Sequence, residues 1–234
     1  MRNDIFRSYH FTFEEVRPEV EVLMQFLQLP DAESYLPVKD IVDAIFATLQ
    51  DTDGITGGYI IKDCLATNPK EGLVVCSAGT LHTGRRISRY MDNASQIALF
   101  ICTAGSIFTD LSHTYQQNGD FLEAFVTESI GSATVENAMD KIQSQLEQEL
   151  TAAGEKITNR YSPGYCDWAL TEQQALFSYI GTHPTGITVN SSSLMQPIKS
   201  VSGIIGIGAE VQKKPYGCSI CKSSTCVYRR IINN

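Results

Sequence analysis

Arg160-Tyr161-Ser162-Pro163-Gly164-Tyr165, followed by Cys166-Asp167-Trp168, is the stretch around which this chain is organised. Pro163-Gly164 is a turn-forming pair, because proline pre-sets φ and glycine accepts the positive φ that a side chain resists. The polar segment before Arg160 and the segment Leu170 to Ile180 both read as helical, which makes the stretch a loop between two helices. A turn of this kind bares backbone N–H and C=O groups to a ligand. Arg160 beside it offers a planar fork for a carboxylate or phosphate. Two tyrosines and the only tryptophan stand alongside. An ordinary interhelical turn with a surface arginine has the same composition, so the residues alone leave both readings open.

Upstream, the continuous apolar run Ile97 to Cys102 is expected to be a strand buried on both faces. Helices are expected over Leu111 to Tyr115 and Phe121 to Ile130, broken near Asn118-Gly119, with a further helix from Ala133 to Leu150. Val135, Ala138, Met139, Ile142, Leu146 and Leu150 give that last helix one apolar face. Glu136 and Asp140 are i, i+4 neighbours near its start. Nearer the beginning, alternation over Ile5 to Thr12 predicts a strand, and helical stripes predict helices over Glu14 to Leu29 and Val38 to Leu49. Gly57-Gly58 reads as a turn before a strand at Tyr59 to Leu65, and Val74 to Ser77 as a short strand. Arg85, Arg86 and Arg89 fall on a short helix, where a solvated face and an acidic-partner contact both fit. Downstream, Thr185 to Val189 is expected to pair in a hairpin with Val201 to Ile207. Gly203, Gly206 and Gly208 match neither a dinucleotide fingerprint nor a Walker loop. Glycines inside an apolar strand mark close backbone approach or a bulge. Helices interleaved with isolated strands, without a βαβ rhythm, point to an α+β fold.

A length of 234 residues with 43% hydrophobic and 19% charged residues describes a globular chain with a substantial core. The formal charge of −8 argues against nucleic acid or an anionic membrane as the main partner. No run of ~18 apolar residues occurs. The start, Met1-Arg2-Asn3-Asp4, lacks an apolar signal-peptide region, and the seven cysteines form no regular even set, so the expected compartment is the cytoplasm. Cys218-Ser219-Ile220-Cys221 with Cys226 forms a CxxC followed by one more cysteine, a spacing that suits zinc or an iron–sulfur cluster. Cys166 is a candidate fourth ligand; a redox dithiol and plain structural cysteines share the same spacing. The four histidines are widely spread, and no Ser-His-Asp or metal-hydrolase constellation stands out.

Arg-x-x-Pro-Gly-Tyr at 160–165 resembles the ligand-binding loop of the activation domain of cobalamin-dependent methionine synthase. Three further pieces agree in order: Phe100-Ile101-Cys102-Thr103-Ala104-Gly105, the helix carrying Glu136, and Ser200-Val201-Ser202-Gly203. The similarity runs from about Ile97 to Gly206. It divides the chain into an N-terminal α/β part (1–95), an activation-domain-like core (96–210) and a Cys-rich tail (211–234). The resemblance implies a twisted, mainly antiparallel sheet with helices around it, and S-adenosylmethionine as ligand. It implies that Arg160 pairs with the methionine carboxylate and that Glu136 contacts the ribose hydroxyls or the amino group. Backbone groups at Ser162 and Gly164 and the ring of Tyr165 would line the methyl path, with Tyr165 facing the corrin. The implied reaction is reductive methylation of cobalamin carried by a separate methionine synthase core or other corrinoid protein, with an electron donor taking part. A corrinoid-docking or electron-transfer module using the C-terminal cysteines, without methyl transfer, is the competing class. Two departures stand out: the terminal cysteines, and the lack of the family's acidic Asp-Trp-Thr-Pro segment.

Overall fold

In chain order the computed structural model, which describes residues 5–27 and 32–214, reads β1 (Arg7–Phe11), α1 (Phe13–Val16), α2 (Val20–Leu27), α3 (Ala32–Leu49), β2 (Ile55–Asn68), β3 (Leu73–Cys76), β4 (Gly79–Leu81), α4 (Gly84–Tyr90), β5 (Gln96–Thr103), α5 (Ile107–Asn118), α6 (Phe121–Thr151), β6 (Lys156–Ile157), a 3-10 turn (Leu170–Glu172) leading into α7 (Gln173–Ile180), β7 (Thr188–Val189), β8 (Met195–Gln196) and β9 (Ser200–Gly208). The main sheet is seven-stranded and antiparallel in every pairing, in the order β4-β3-β2-β5-β9-β6. The long β2 pairs with β1 through its first half and with β3 through its second. This is the α+β architecture expected from the sequence. Among the described residues, no helix is long and apolar enough to cross a membrane.

Two helical layers sandwich the sheet, and β5 shows why its sequence is apolar throughout. Ala98, Phe100 and Cys102 face the layer built by α1, α2, α3 and α6, while Ile97, Leu99 and Ile101 face α4 and α7. Period-two alternation therefore feeds two cores from one strand. Burial of this kind is worth about 1.5–3 kcal/mol per large apolar side chain. The sheet's middle is accordingly its best-anchored part.

Several sequence expectations change. The helices expected over 121–130 and 133–150 are one helix, α6, of 31 residues. Gly131 does not break it, because a Cβ there would lie 2.7 Å from the Phe108 ring; the glycine is a packing notch for α5. The break expected near Asn118-Gly119 is there: Gly119 caps α5 in the left-handed region at φ 89°. Gly57 and Gly58 lie inside β2 and form no turn: a Cβ on Gly58 would sit 1.9 Å from the Arg7 carbonyl oxygen of β1. The expected helix over Glu14 to Leu29 is divided into α1 and α2 around Pro18. The arm at Thr188–Val189 pairs with β8, leaving β9 to lie between β5 and β6. The loop opening at Arg160 is preceded by β6, and its second residue, Tyr161, still bridges to Ile204, so a strand edge leads into it in place of the expected helix.

Candidate functional site

Residues 156–161 run antiparallel along β9 and set the position of Arg160. The Thr158 N–H donates to the Gly206 carbonyl at 2.9 Å, and Tyr161 and Ile204 exchange backbone bonds of 3.0 and 2.8 Å. Gly203 makes this possible, since a Cβ there would lie 2.0 Å from the Tyr161 carbonyl oxygen. Gly203 also stands opposite Phe100 of β5. The adjacent Ser202 accepts a 2.5 Å bond from Gln173 Nε2 and so ties α7 to the same strand. Ser200-Val201-Ser202-Gly203 is thus the seam that joins β5, the Tyr161 edge and α7.

From this edge the Arg160 side chain reaches α6. Its guanidinium donates to Glu136 Oε2 at 3.0 Å and to Asp140 Oδ1 at 2.6 Å, two carboxyl groups one helical turn apart. Arg160 is 14% exposed, Glu136 38% and Asp140 65%. Burial pushes the Glu136 carboxyl above the ordinary range; Arg160 opposes that rise and Asp140 reinforces it. Cys102 lies in the same electrostatic environment, its thiol pushed up to about 12 first by burial and then by the Glu136 charge. An open depression of about 290 Å³ beside the triad is lined by Asp140, Gln143, Asn159, Arg160, Lys213 and Lys214. Asn159 exchanges two 2.8 Å bonds with the Lys214 backbone, and the Lys214 ammonium sits 4.9 Å from the Tyr90 ring centroid. Tyr90 in turn stacks on Tyr161, with centroids 5.4 Å apart.

The turn after Arg160 forms as the Pro-Gly pair predicts. Tyr165 N–H donates to the Ser162 carbonyl at 3.2 Å, and Gly164 takes φ 93°. Pro163 is buried, Ser162 half-buried, and Gly164 and Tyr165 are exposed, Tyr165 at 65%. Two anchors hold the turn from behind. Trp168 is 2% exposed in the core under α4 and α7, and the Asp167 carboxylate accepts the Arg85 N–H at the start of α4 at 2.7 Å. The negative group favours that helix end.

The structure therefore brings Arg160 and Glu136 into contact and sets Ser162, Gly164 and Tyr165 on the adjoining turn. It adds Asp140, which helical spacing marked only as a neighbour of Glu136, and gives anchoring roles to Asp167 and Ser202, which lie in stretches already singled out, and to Gln173, for which the sequence carries no local signal. Arg85 and Arg89 lie exposed on α4. Cys166 is exposed at φ 56°. Cys218, Cys221 and Cys226 lie outside the described residues; among those described, no group of His, Cys, Asp and Glu is arranged to hold a metal ion.

Comparison with known proteins follows the same lines. A family model described as "Vitamin B12 dependent methionine synthase, activation domain" matches residues 87–225. Among solved structures, the MetH reactivation domain bound to AdoHcy superposes with a TM-score of 0.66 at 13% identity, covering 92% of this chain and 81% of that one. At that identity the likeness is one of fold. No curated protein matches the chain. With more than half of its residues matched, and with Arg160, Glu136 and the Ser202-Gly203 seam all inside the match, the chain belongs to the family of vitamin B12 dependent methionine synthase activation domains.

Proposed function

We propose that the protein binds S-adenosylmethionine beside Arg160 and presents its methyl group to cobalamin on a separate methionine synthase core or other corrinoid protein, so as to reactivate that cofactor. The carrying observation is the meeting of Arg160, Glu136 and the Ser162–Tyr165 turn within the family match. The solved neighbour supports it, because AdoHcy is the demethylated form of this ligand. When bound, S-adenosylmethionine would supply the methyl, and the partner's cobalamin, once reduced by a separate electron donor, the metal nucleophile. The work left to this chain is positioning, which turns an encounter into a near-unimolecular step.

The residues fit an amino-acid head group. Arg160 offers a carboxylate its guanidinium fork, and Glu136 or Asp140 accepts from an ammonium or a hydroxyl. The ligand carboxylate takes the place of the more exposed Asp140 on the fork. The backbone at half-buried Ser162 and exposed Gly164 borders the methyl path, and the exposed Tyr165 ring can meet a flat macrocycle. Calorimetric titration with S-adenosylmethionine and with its demethylated product tests the assignment. Arg160→Ala is expected to weaken binding by about 1.5–3 kcal/mol, the range of a charged hydrogen bond. Arg160→Lys rescues little, since the fork is lost. Equal affinity of the alanine variant and wild type removes Arg160 from the site.

A further inference from the structure

On the sheet face opposite the Arg160 triad, Cys64 of β2 and Cys76 of β3 stand directly across from each other in register. The preceding pair, Asp63 and Ser77, is hydrogen-bonded, with Ser77 N–H donating to the Asp63 carbonyl at 2.9 Å. Cys64 turns its own N–H the other way, to the Ser95 carbonyl at 2.9 Å. The two cysteines therefore occupy a non-hydrogen-bonded position, at the near edge of a bulge that inserts Leu65 before the Ala66–Val75 pair; in an unbulged ladder such a position brings Cα atoms to about 4.5 Å and side chains closest together. That spacing falls at the short end of the roughly 4.4–6.8 Å found across disulfides. Both side chains belong to the same core layer, Cys76 3% exposed within it and Cys64 half-buried at its margin. Both are free thiols. Burial raises the Cys64 thiol to about 11, and the neighbouring Cys76 adds to the rise, so little thiolate is present at neutral pH and oxidation is slow, quickening as pH rises.

We propose that Cys64 and Cys76 are a redox-modification site, forming a reversible cross-strand disulfide under a peroxide oxidant. The half-exposed Cys64 is the sulfur that meets the oxidant. It attacks one peroxide oxygen, the O–O bond breaks, and Cys64 sulfenic acid and one water result. The Cys76 sulfur then attacks the Cys64 sulfur, the S–O bond breaks, and the oxygen leaves as a second water. One hydrogen peroxide thus oxidises each sulfur by one electron, and a dithiol reverses the change by exchange. The crosslink closes the β2–β3 hairpin, whose tip at Gly72 accepts the Gly84 N–H at 3.0 Å and so supports the start of α4. It lies apart from the ligand assignment, and its test reads no ligand.

The sequence makes the test direct, because trypsin cuts after Lys62, Lys70 and Arg85 and places the two cysteines on separate peptides, 63–70 and 71–85. The folded full chain is treated with hydrogen peroxide, alkylated, unfolded and mapped by mass spectrometry. The expected product is a 63–70/71–85 crosslink that disappears with dithiothreitol and is absent from Cys64→Ser. The oxidised protein is expected to melt roughly 5–10 °C higher, as closing a short loop in a chain of this size implies. Full alkylation of both cysteines after peroxide overturns the proposal. Sulfinic acid on Cys64 without a crosslink, or Cys64 joined to a different cysteine, does so equally.

Discussion

Arg160→Ala puts the electrostatics of the site to a test that needs no ligand. The guanidinium is 14% exposed and answers two carboxyl groups, Glu136 at 3.0 Å and Asp140 at 2.6 Å. Removing one partner of a fully buried pair costs about 3–5 kcal/mol, whereas exposed pairs are worth about 0–1 kcal/mol. Glu136 at 38% and Asp140 at 65% exposure are screened by water, so the Asp140 contact adds little and the loss falls between those limits. An expected cost of about 1.5–2.5 kcal/mol at pH 8 corresponds to a fall of roughly 4–8 °C in melting temperature for a chain of this size. Burial already holds the Glu136 carboxyl above its ordinary 4.5, and loss of Arg160 removes the influence that lowers it. Between 4.5 and that higher value the native protein holds the proton more tightly than the unfolded chain, so stability falls as pH rises through the window. The variant's deficit is therefore largest at pH 8 and shrinks toward pH 5. Thermal unfolding of wild type, Arg160→Ala and Arg160→Ala/Glu136→Gln at both pH values measures this. A deficit equal at pH 5 and pH 8, with no recovery in the double variant, refutes the charge account and leaves packing of the arginine stem as its cause.

Glu136→Gln alone is expected to weaken S-adenosylmethionine binding by about 1–2 kcal/mol while leaving the melting temperature within a few degrees, since a desolvated charge is removed as well as an ion pair; retained affinity with lost stability makes Glu136 structural. Gly203→Ala drives a Cβ to 2.0 Å from the Tyr161 carbonyl oxygen, and backbone must separate to admit it. A loss of roughly 3 kcal/mol or more is expected by chemical denaturation, and a loss below about 0.5 kcal/mol contradicts the seam described here. For Cys218, Cys221 and Cys226, anaerobic purification followed by iron, zinc and sulfide analysis is expected to find a soft metal or cluster near stoichiometry; three freely alkylated thiols with only traces of metal count against it.

Features set by short-range chemistry were legible in the sequence, and those set by register were not. The apolar run Ile97 to Cys102 needed no partner to read as a doubly buried strand, and the Pro163-Gly164 turn formed with glycine at positive φ as its residues require. Gly57-Gly58, read as a turn, and the gap left around Gly131 between two expected helices misled for a common reason. Each glycine admits a neighbour far along the chain that leaves no local trace: the Cys102 and Ile142 side chains at Gly57, the Arg7 backbone at Gly58 and the Phe108 ring at Gly131. The same holds at the site. Arg160 and Glu136 are 24 positions apart, and only the pairing of residues 156–161 with β9 aims one at the other. Spacing marked Glu136 with Asp140 as helical neighbours; resemblance to a family singled out Glu136, and the fold added Asp140.

The charge pattern of the site bears on which ligand form it holds. Two carboxyl groups face one guanidinium, and the chain as a whole carries −8. A plain anion entering this site would have to displace a carboxylate from Arg160 and leave it without a cation. A ligand with both a carboxylate and an ammonium avoids that cost, because the fork passes to the incoming carboxylate while the released acidic group meets the ammonium. S-adenosylmethionine carries a sulfonium charge in addition, which the demethylated product lacks. At a separation of about 8 Å, one such charge against the excess carboxylate is worth roughly 0.5–2 kcal/mol for effective dielectric constants of about 80 to 20. Lys213 is paired with Glu147, but the Lys214 ammonium on the rim of the same depression offsets part of that gain. On the proposed reading the site therefore favours the methylated ligand over its product by a few-fold at most, which helps the product leave. The preference shrinks with added salt, as an interaction across open solvent must.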